Sequence, residues 1–158
     1  MRIIFISLIF GFLLGVLLTS QMINSSPNLE IPYTPSSPDL MSPSDTIKQH
    51  QINVYDKRVV IDIEAEWAKI ANTKSMDPIL DEGTFVLQIV PKSENEIHLG
   101  DIVTYVSPSG LRIIHRVIGI EEDEEGKYYI LKGDNNLKPD PYKVRFNMID
   151  RKLVGILY

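Results

Sequence analysis

Four polar side chains interrupt the apolar stretches of this sequence and could together do chemistry. Ser75 stands in SMDPIL, His115 in LRIIHRVIGI, and Asp134 and Asp140 in KGDNNLKPD. A serine hydroxyl becomes a nucleophile when a histidine takes its proton and a carboxylate orients that histidine. Such groups occur in several different chain orders, so the order found here is acceptable. The residues predict an activated hydroxyl and leave open which aspartate would orient the histidine.

Each of these motifs also has a purely structural interpretation. Ser75 before Pro78 is typical of a turn, His115 between isoleucines and a valine is typical of a half-buried core histidine, and GDNN is typical of a tight turn. Lys74 and Lys132 are alternative bases, although Lys74 in an extended segment would point to the opposite face from its neighbour Ser75. The case for catalysis therefore rests on the combination of motifs.

The elements that must position these residues are mostly strands. Runs rich in β-branched and alternating apolar residues are separated by turn signals such as SPSG and EEDEEG. The sequence contains no long amphipathic helix and no internal repeat. The predicted fold is mostly β, a compact, folded-over or partly closed antiparallel sheet. The predicted strands are 58–63, 66–71, 84–90, 101–107, 111–120, 127–132 and 152–158.

Three regions of different composition divide the chain. Residues 1–20 hold Arg2 and an apolar run, 21–51 are rich in Ser and Pro, and 52–158 carry the β pattern. The apolar run is near the lower limit of about 17 residues for a spanning helix. We interpret it as an uncleaved transmembrane anchor, because the small-x-small site of the alternative, a cleaved signal peptide, is poor. Arg2 before the span predicts an extracytoplasmic linker and domain.

Composition excludes several classes of function. The chain has 158 residues, 44% of them hydrophobic, which is enough for one domain with a substantial core. A net charge of -5 offers no basic surface for nucleic acid. Cysteine is absent, which excludes disulfides and thiol catalysis. The 3 histidines lack the spacing of metal ligands, so neither a metal nor a cofactor is expected.

The four motifs SMDPIL, GDIVTY, IIHRVIGI and LKGDNN with a later aspartate resemble, in this order, the motifs of the type I signal peptidase family. The resemblance covers residues 58–158 and the apolar N-terminus. One branch of the family has a lysine immediately before the arginine of the third motif, and the endoplasmic-reticulum and archaeal branch has a histidine there. His115 precedes Arg116, so the sequence resembles the Ser-His branch.

This resemblance implies a role for each candidate residue. Ser75 would be the nucleophile, and His115 would be the general base and later the acid for the leaving amine. Asp140 resembles the acid that orients the histidine, and Asp134 resembles a second acid with a supporting role. The physics of the sequence alone does not rank these two acids.

Supporting groups are implied in the same way. The Ser75 amide and the hydroxyl of Thr73 would stabilise the oxyanion. Arg116 would hold a carboxylate such as that of Asp134. The sequence departs from the family pattern at Ile79, where threonine is common, and in a linker longer than a short tether.

The implied function is a membrane-anchored serine endopeptidase that cleaves signal peptides from exported precursor proteins after small residues, through an acyl-enzyme. Its partners would be those signal peptides, the lipid bilayer and the protein-export machinery, and the single-pass protein would lie in the cell membrane. The stretch EWAKIA could pair with an extended substrate as an added strand. The alternative is a non-catalytic extracytoplasmic module that keeps the peptidase fold and binds peptides, which the long linker would suit.

Overall fold

The computed structural model describes residues 40–158, which are mostly antiparallel β-structure, as the sequence predicts. The predicted anchor and most of the predicted linker lie outside these residues. Within residues 40–158, no helix is long and apolar enough to cross a membrane. The strands are β1 Ile52–Val54, β2 Val59–Ile61, β3 Glu66–Lys69, β4 Phe85–Ile89, β5 Ile102–Val106, β6 Arg112–Asp123, β7 Gly126–Lys132 and β8 Ile149–Leu157. Short 3₁₀ helices cover Gln49–Gln51, Glu94–Glu96 and Phe146–Met148.

The strands form a hairpin, β1–β2, and a 6-stranded sheet of order β3-β4-β8-β5-β6-β7. Each neighbouring pair is antiparallel. In the described part of the chain β3 and β7 are the two edges of this sheet, so the antiparallel β fold is confirmed and the expected closure is not shown. The turn predicted at EEDEEG is shorter than expected. Its first three residues, Glu121, Glu122 and Asp123, belong to β6 and pair with β7.

Two hydrophobic clusters pack on the sheet. One contains Val103, Tyr105 and Tyr129, and the other contains Val86 and Ile102, each with further buried neighbours. Successive strand residues face opposite sides, which is why adjacent residues of β5 enter different clusters. Each fully buried large apolar side chain contributes about 1.5–3 kcal/mol relative to leaving it exposed. The two clusters therefore pack against opposite faces of the sheet and hold in place the strands that carry the candidate site.

The start of the described chain lies against the sheet. The main-chain oxygen of Met41 accepts a hydrogen bond of 3.0 Å from Arg116 Nη1. Gly100 has a φ of +89°, and a Cβ there would come within 2.2 Å of the Ser42 carbonyl oxygen. Only glycine fits this close approach with a left-handed backbone. Part of the Ser/Pro-rich segment is thus packed on the β domain.

A buried ion pair holds the same region to β8. Lys152 Nζ lies 2.8 Å from Asp101 Oδ2, with side-chain exposures of 3% and 0%. The Ser44 amide donates to Asp101 Oδ1 at 2.7 Å, and the His98 amide donates to Oδ2 at 2.8 Å. Burial by itself would raise the pKa of Asp101, but the hydrogen bonds from Lys152, Ser44 and His98 together lower it below 3.8. The carboxylate is therefore ionised in the folded protein.

Replacing Asp101 with asparagine should lower the free energy of unfolding by about 3–5 kcal/mol at neutral pH, because Lys152 would keep a buried charge without its partner. The folded-state pKa of Asp101 lies below its unfolded value of 3.8. The pair therefore stabilises the fold above about pH 4, and this stabilisation is lost as the pH falls through the lower folded-state value.

Urea unfolding of both proteins from about pH 3 to pH 7 measures this difference. The two stabilities should converge toward acid pH. Asp56→Asn, at the exposed tip of the β1–β2 hairpin, is the control and should change stability by no more than about 0.5 kcal/mol. Equal stability of parent and Asp101→Asn at neutral pH would contradict a stabilising role for the pair.

Candidate active site

The turn that carries Ser75 is anchored in the core on its C-terminal side. Met76 and Leu80 are 2% and 1% exposed, and the Leu80 amide donates to the Met76 carbonyl oxygen at 3.0 Å. Lys74 has a φ of 59°, a left-handed conformation that is uncommon for a residue other than glycine. Such backbone strain persists only where the surrounding structure holds it. The buried neighbours hold Ser75 in a fixed position between β3 and β4.

Contacts from two sides hold Ser75. Its Oγ lies 3.2 Å from Thr73 Oγ1. Its carbonyl oxygen accepts a hydrogen bond of 2.9 Å from the Asn135 amide, and Asn135 Nδ2 donates to the Lys74 carbonyl oxygen at 2.9 Å. Asn135 was not predicted as a site residue, although it adjoins Asp134 in the GDNN motif. The loop after β7 is thus joined directly to the Ser75 turn.

Gly133 brings the turn, the loop and His115 to one point. A Cβ on Gly133 would lie 2.5 Å from the Ser75 carbonyl oxygen and 2.9 Å from His115 Nε2. No side chain fits there, so the residue must be glycine. Among residues 40–158, Ser75 Oγ and His115 Nε2 share no direct hydrogen bond. Catalytic hydrogen bonds are often long in unliganded enzymes and tighten when substrate binds.

His115 is buried, and a carboxylate fixes its ring. The residue is 5% exposed in β6 and pairs across the strands with Val103. Its Nδ1 lies 2.7 Å from Asp140 Oδ2, while the Asp140 amide donates to the Leu131 carbonyl oxygen at 2.8 Å. A carboxylate at Nδ1 favours the tautomer with the proton there. Nε2, the nitrogen near Ser75, is then free to accept a proton.

Tyr105 is a further member of this network. Its hydroxyl donates to Asp140 Oδ2 at 2.9 Å. Burial and then the adjacent carboxylate of Asp140 raise the pKa of Tyr105 well above its usual range, so the phenol remains a donor. Tyr105 was not predicted as a site residue from the sequence. The signal was its position in GDIVTY, two residues beyond Val103, which puts it on the His115 side of the sheet.

Asp134 occupies a different position from Asp140. Arg116 Nε lies 2.8 Å from Asp134 Oδ1, and Nη2 lies 2.7 Å from Oδ2. The two side chains are 4% and 3% exposed. Arg116 Nη1 also donates to the Gly100 carbonyl oxygen at 2.8 Å. Both oxygens of Asp134 are therefore engaged by the guanidinium, whereas Asp140 contacts the histidine ring.

The second lysine considered as an alternative base, Lys132, is the last residue of β7 and has another contact. Lys132 Nζ donates to the Asn136 carbonyl oxygen at 2.9 Å. This bond supports the loop that begins at Gly133. It directs the ammonium group of Lys132 toward the backbone of its own loop.

A cleft of about 540 Å³ opens beside Ser75. Thr73 and Ser75 line one part of it, β3 and the first residues of β6 line its length, and Val86 and Gln88 of β4 also face it. A cleft of this size and shape, with a serine hydroxyl at its wall and an edge strand along it, can hold an extended peptide.

Comparison with known proteins shows a similarity to a bacterial signal peptidase. The chain is 27% identical over 81 residues to Signal peptidase I W of Bacillus subtilis (strain 168). The aligned part is 51% of this chain and 43% of the relative, so the chain spans less than half of the relative's length. No family model and no solved structure matches. The similarity supports the signal peptidase family and does not distinguish its branches.

Proposed function

We propose that this protein is a membrane-anchored serine endopeptidase of the Ser-His type, which cleaves signal peptides from exported precursor proteins after small residues. The observation that carries the proposal is the meeting of the Ser75 turn and His115 Nε2 at Gly133, with Asp140 on the other ring nitrogen. The similarity to a signal peptidase supports the same class of substrate.

The proposed arrangement has three parts. Residues 1–20 are the anchor, 21–51 the extracytoplasmic linker, whose last part from Met41 onward packs on the β domain, and 52–158 the peptidase domain. The protein is then a single-pass protein of the cell membrane, with signal peptides, the bilayer and the protein-export machinery as its partners. No cofactor takes part in the proposed reaction.

The chemistry begins with attack on the peptide carbonyl. Ser75 Oγ bonds to the carbonyl carbon while its proton passes to His115 Nε2, and Asp140 stabilises the imidazolium. The Ser75 amide and the Thr73 hydroxyl stabilise the oxyanion. His115 then protonates the leaving amine as the carbon–nitrogen bond breaks, which leaves an acyl-enzyme on Ser75.

Water completes the cycle. His115 Nε2 takes a proton from a water molecule, which attacks the acyl carbon, and the proton returns to Ser75 Oγ as the acid product leaves. Arg116 and Asp134 act at a distance from the reacting atoms. Their bidentate pair holds the loop whose Gly133 lies against His115.

The test is cleavage of a fluorogenic Ala-x-Ala peptide by the full-length protein in detergent. Cleavage after the second alanine and an acid-quenched acyl adduct on Ser75, located by mass spectrometry, are expected. Ser75→Ala should lower the rate at least about a thousandfold and abolish the adduct. Ser93→Ala, an exposed serine outside the cleft, is the matched control and should leave both unchanged. An adduct on another residue would rule out Ser75 as the nucleophile.

One observation favours the alternative function, a peptide-binding module. Ser75 Oγ is hydrogen-bonded to Thr73, and within residues 40–158 it has no direct bond to His115. If the protein is a binding module, the parent and the Ser75→Ala variant should bind the Ala-x-Ala peptide equally well, and the parent should not cleave it. The adduct measurement therefore separates the two functions.

A further inference from the structure

The cleft beside Ser75 is not uniformly apolar. Ala68 and Val86, which pair across β3 and β4, form an apolar level. Two residues away on each strand, and therefore on the same face, Glu66 pairs with Gln88 and forms a polar level. Thr104 of β5 lies beside Gln88, across β8. A substrate strand that follows β3 would meet small apolar side chains first and polar side chains next.

Gln88 and Thr104 form a pair with unused hydrogen-bonding capacity. Gln88 Nε2 donates to Thr104 Oγ1 at 2.6 Å, and Gln88 is only 7% exposed. The hydroxyl proton of Thr104 and the Oε1 of Gln88 have no protein partner within residues 40–158. The only fully enclosed side-chain oxygen or nitrogen without a partner in this part of the chain is Asp77 Oδ1, so Gln88 Oε1 is not fully enclosed, and Gln88 and Thr104 both line the cleft. The floor thus presents one free donor and one free acceptor.

The charged groups at this end of the cleft already neutralise one another. Arg151 Nη2 lies 3.0 Å from Glu66 Oε2, and Arg112 Nε lies 3.2 Å from Asp150 Oδ2. Two cations and two anions leave no net charge to attract an ionic substrate side chain. A neutral side chain that both donates and accepts a hydrogen bond suits the site better than a charged one.

We propose that Gln88 and Thr104 form a specificity subsite for an uncharged hydrogen-bonding side chain of the substrate, upstream of the cleaved bond. This inference rests on the proposed function and deepens it. An extended peptide points every second side chain to one face, so the selected position shares its face with the small residue at the cleaved bond. The first and third upstream residues are the alanines of the Ala-x-Ala site, so the selected position is the fifth residue upstream.

Discrimination between hydrogen-bonding and apolar substrate side chains should be large. An apolar side chain would remove water from the donor and the acceptor of the subsite without replacing the lost hydrogen bonds, which costs binding free energy. Such sites reject an isosteric apolar analogue more strongly than an apolar pocket rejects an extra methylene. We expect kcat/KM for threonine to exceed that for the isosteric valine by about tenfold or more at the selected position. Lysine and glutamate there should also be poorer than threonine.

The experiment varies the fifth upstream residue of a peptide that keeps its Ala-x-Ala site, among threonine, valine, asparagine and leucine, with the full-length protein in detergent. The double variant Gln88→Met, Thr104→Val should reverse the threonine-over-valine preference. Gln49→Met, an exposed position outside the cleft, should keep it. Equal rates for threonine and valine peptides in the parent protein, or an unchanged preference in the double variant, would overturn the inference.

A binding measurement keeps the inference separate from the proposed function. Ser75→Ala protein should bind the threonine peptide more tightly than the valine peptide, and the Gln88→Met, Thr104→Val changes should remove that difference. If no peptide is cleaved by the parent but this binding preference is found, the proposed function fails and the subsite stands. If peptides are cleaved without a preference in rate or binding, the subsite fails and the proposed function stands.

Discussion

His115→Ala should lower kcat for cleavage of the Ala-x-Ala peptide by about 10³–10⁶-fold. The reason is the loss of the nitrogen that lies against the Ser75 turn at Gly133. Without it, no group accepts the serine proton or protonates the leaving amine. KM should change little, because His115 is not among the residues that line the cleft. Single-turnover rates at saturating peptide measure the change directly.

The double variant Ser75→Ala, His115→Ala makes this prediction sharper. Groups that act as one unit are strongly non-additive, so the double variant should be about as slow as the slower single variant. A multiplicative loss would show that the two residues contribute independently. His50→Ala, an exposed histidine before β1, is the control for the loss of an imidazole and should retain the parent rate. Equilibrium unfolding should confirm that each variant is folded.

Lys74 allows a direct comparison with a lysine base. It is adjacent to Ser75 and has a φ of 59°, and glutamine, which is also unbranched at Cβ, should adopt this backbone conformation about as well as lysine. Lys74→Gln should therefore keep activity within a few fold. A loss comparable to that of His115→Ala would instead assign the general base to Lys74 and contradict the Ser-His mechanism.

The strand pattern of this chain could be predicted largely from side-chain type. The runs 84–90, 101–107 and 127–132 lie on β4, β5 and β7, because β-branched and alternating apolar residues pack well on a half-buried sheet. The charged end of β6 was the main error. Glu121 pairs with Tyr128 and Glu122 with Lys127, so cross-strand partners keep an acidic segment in the sheet. The composition of a short segment does not reveal which residues it will pair with across the sheet.

The candidate site shows a similar division. Ser75, His115 and the aspartates could be selected because their types suit one reaction. Tyr105, Gly133 and Asn135 could not, because their importance depends on strand register and on the path of the loop after β7. The apparent linker is a further case. Met41 and Ser44 contact Arg116 and Asp101 from 75 and 57 residues away, which a Ser/Pro-rich composition does not indicate.

The two acids that sequence physics could not rank should give opposite phenotypes. Asp140→Asn should lower kcat by about 10⁴-fold with little loss of stability, as expected when an orienting carboxylate becomes an amide. The amide can donate to His115 Nδ1, which favours the tautomer with the proton on Nε2. That nitrogen could then no longer accept the Ser75 proton. The Tyr105 hydroxyl, which donates to the Oδ2 that lies 2.7 Å from Nδ1, would then accept the second N–H of that amide instead.

Asp134→Asn is the matched substitution at the second acid. Here the asparagine would leave the Arg116 guanidinium, 4% exposed, without its anionic partner. Loss of one member of a buried ion pair costs about 3–5 kcal/mol. We expect a large decrease in the free energy of unfolding and a smaller decrease in kcat for the molecules that remain folded. Glu124→Gln in the exposed β6–β7 turn should change neither quantity.

The two measurements must be made on the same preparations. Denaturant unfolding gives the stability of each variant, and active-site titration with the trapped acyl adduct gives the folded, competent fraction by which kcat is corrected. If Asp140→Asn is destabilised by several kcal/mol and its corrected kcat is near that of the parent, Asp140 is a structural acid. If the corrected kcat of Asp134→Asn falls by about 10⁴-fold, the orienting role belongs to the Arg116–Asp134 pair. Either result would show that the carboxylate in contact with the histidine ring, that of Asp140, is not the one that orients it.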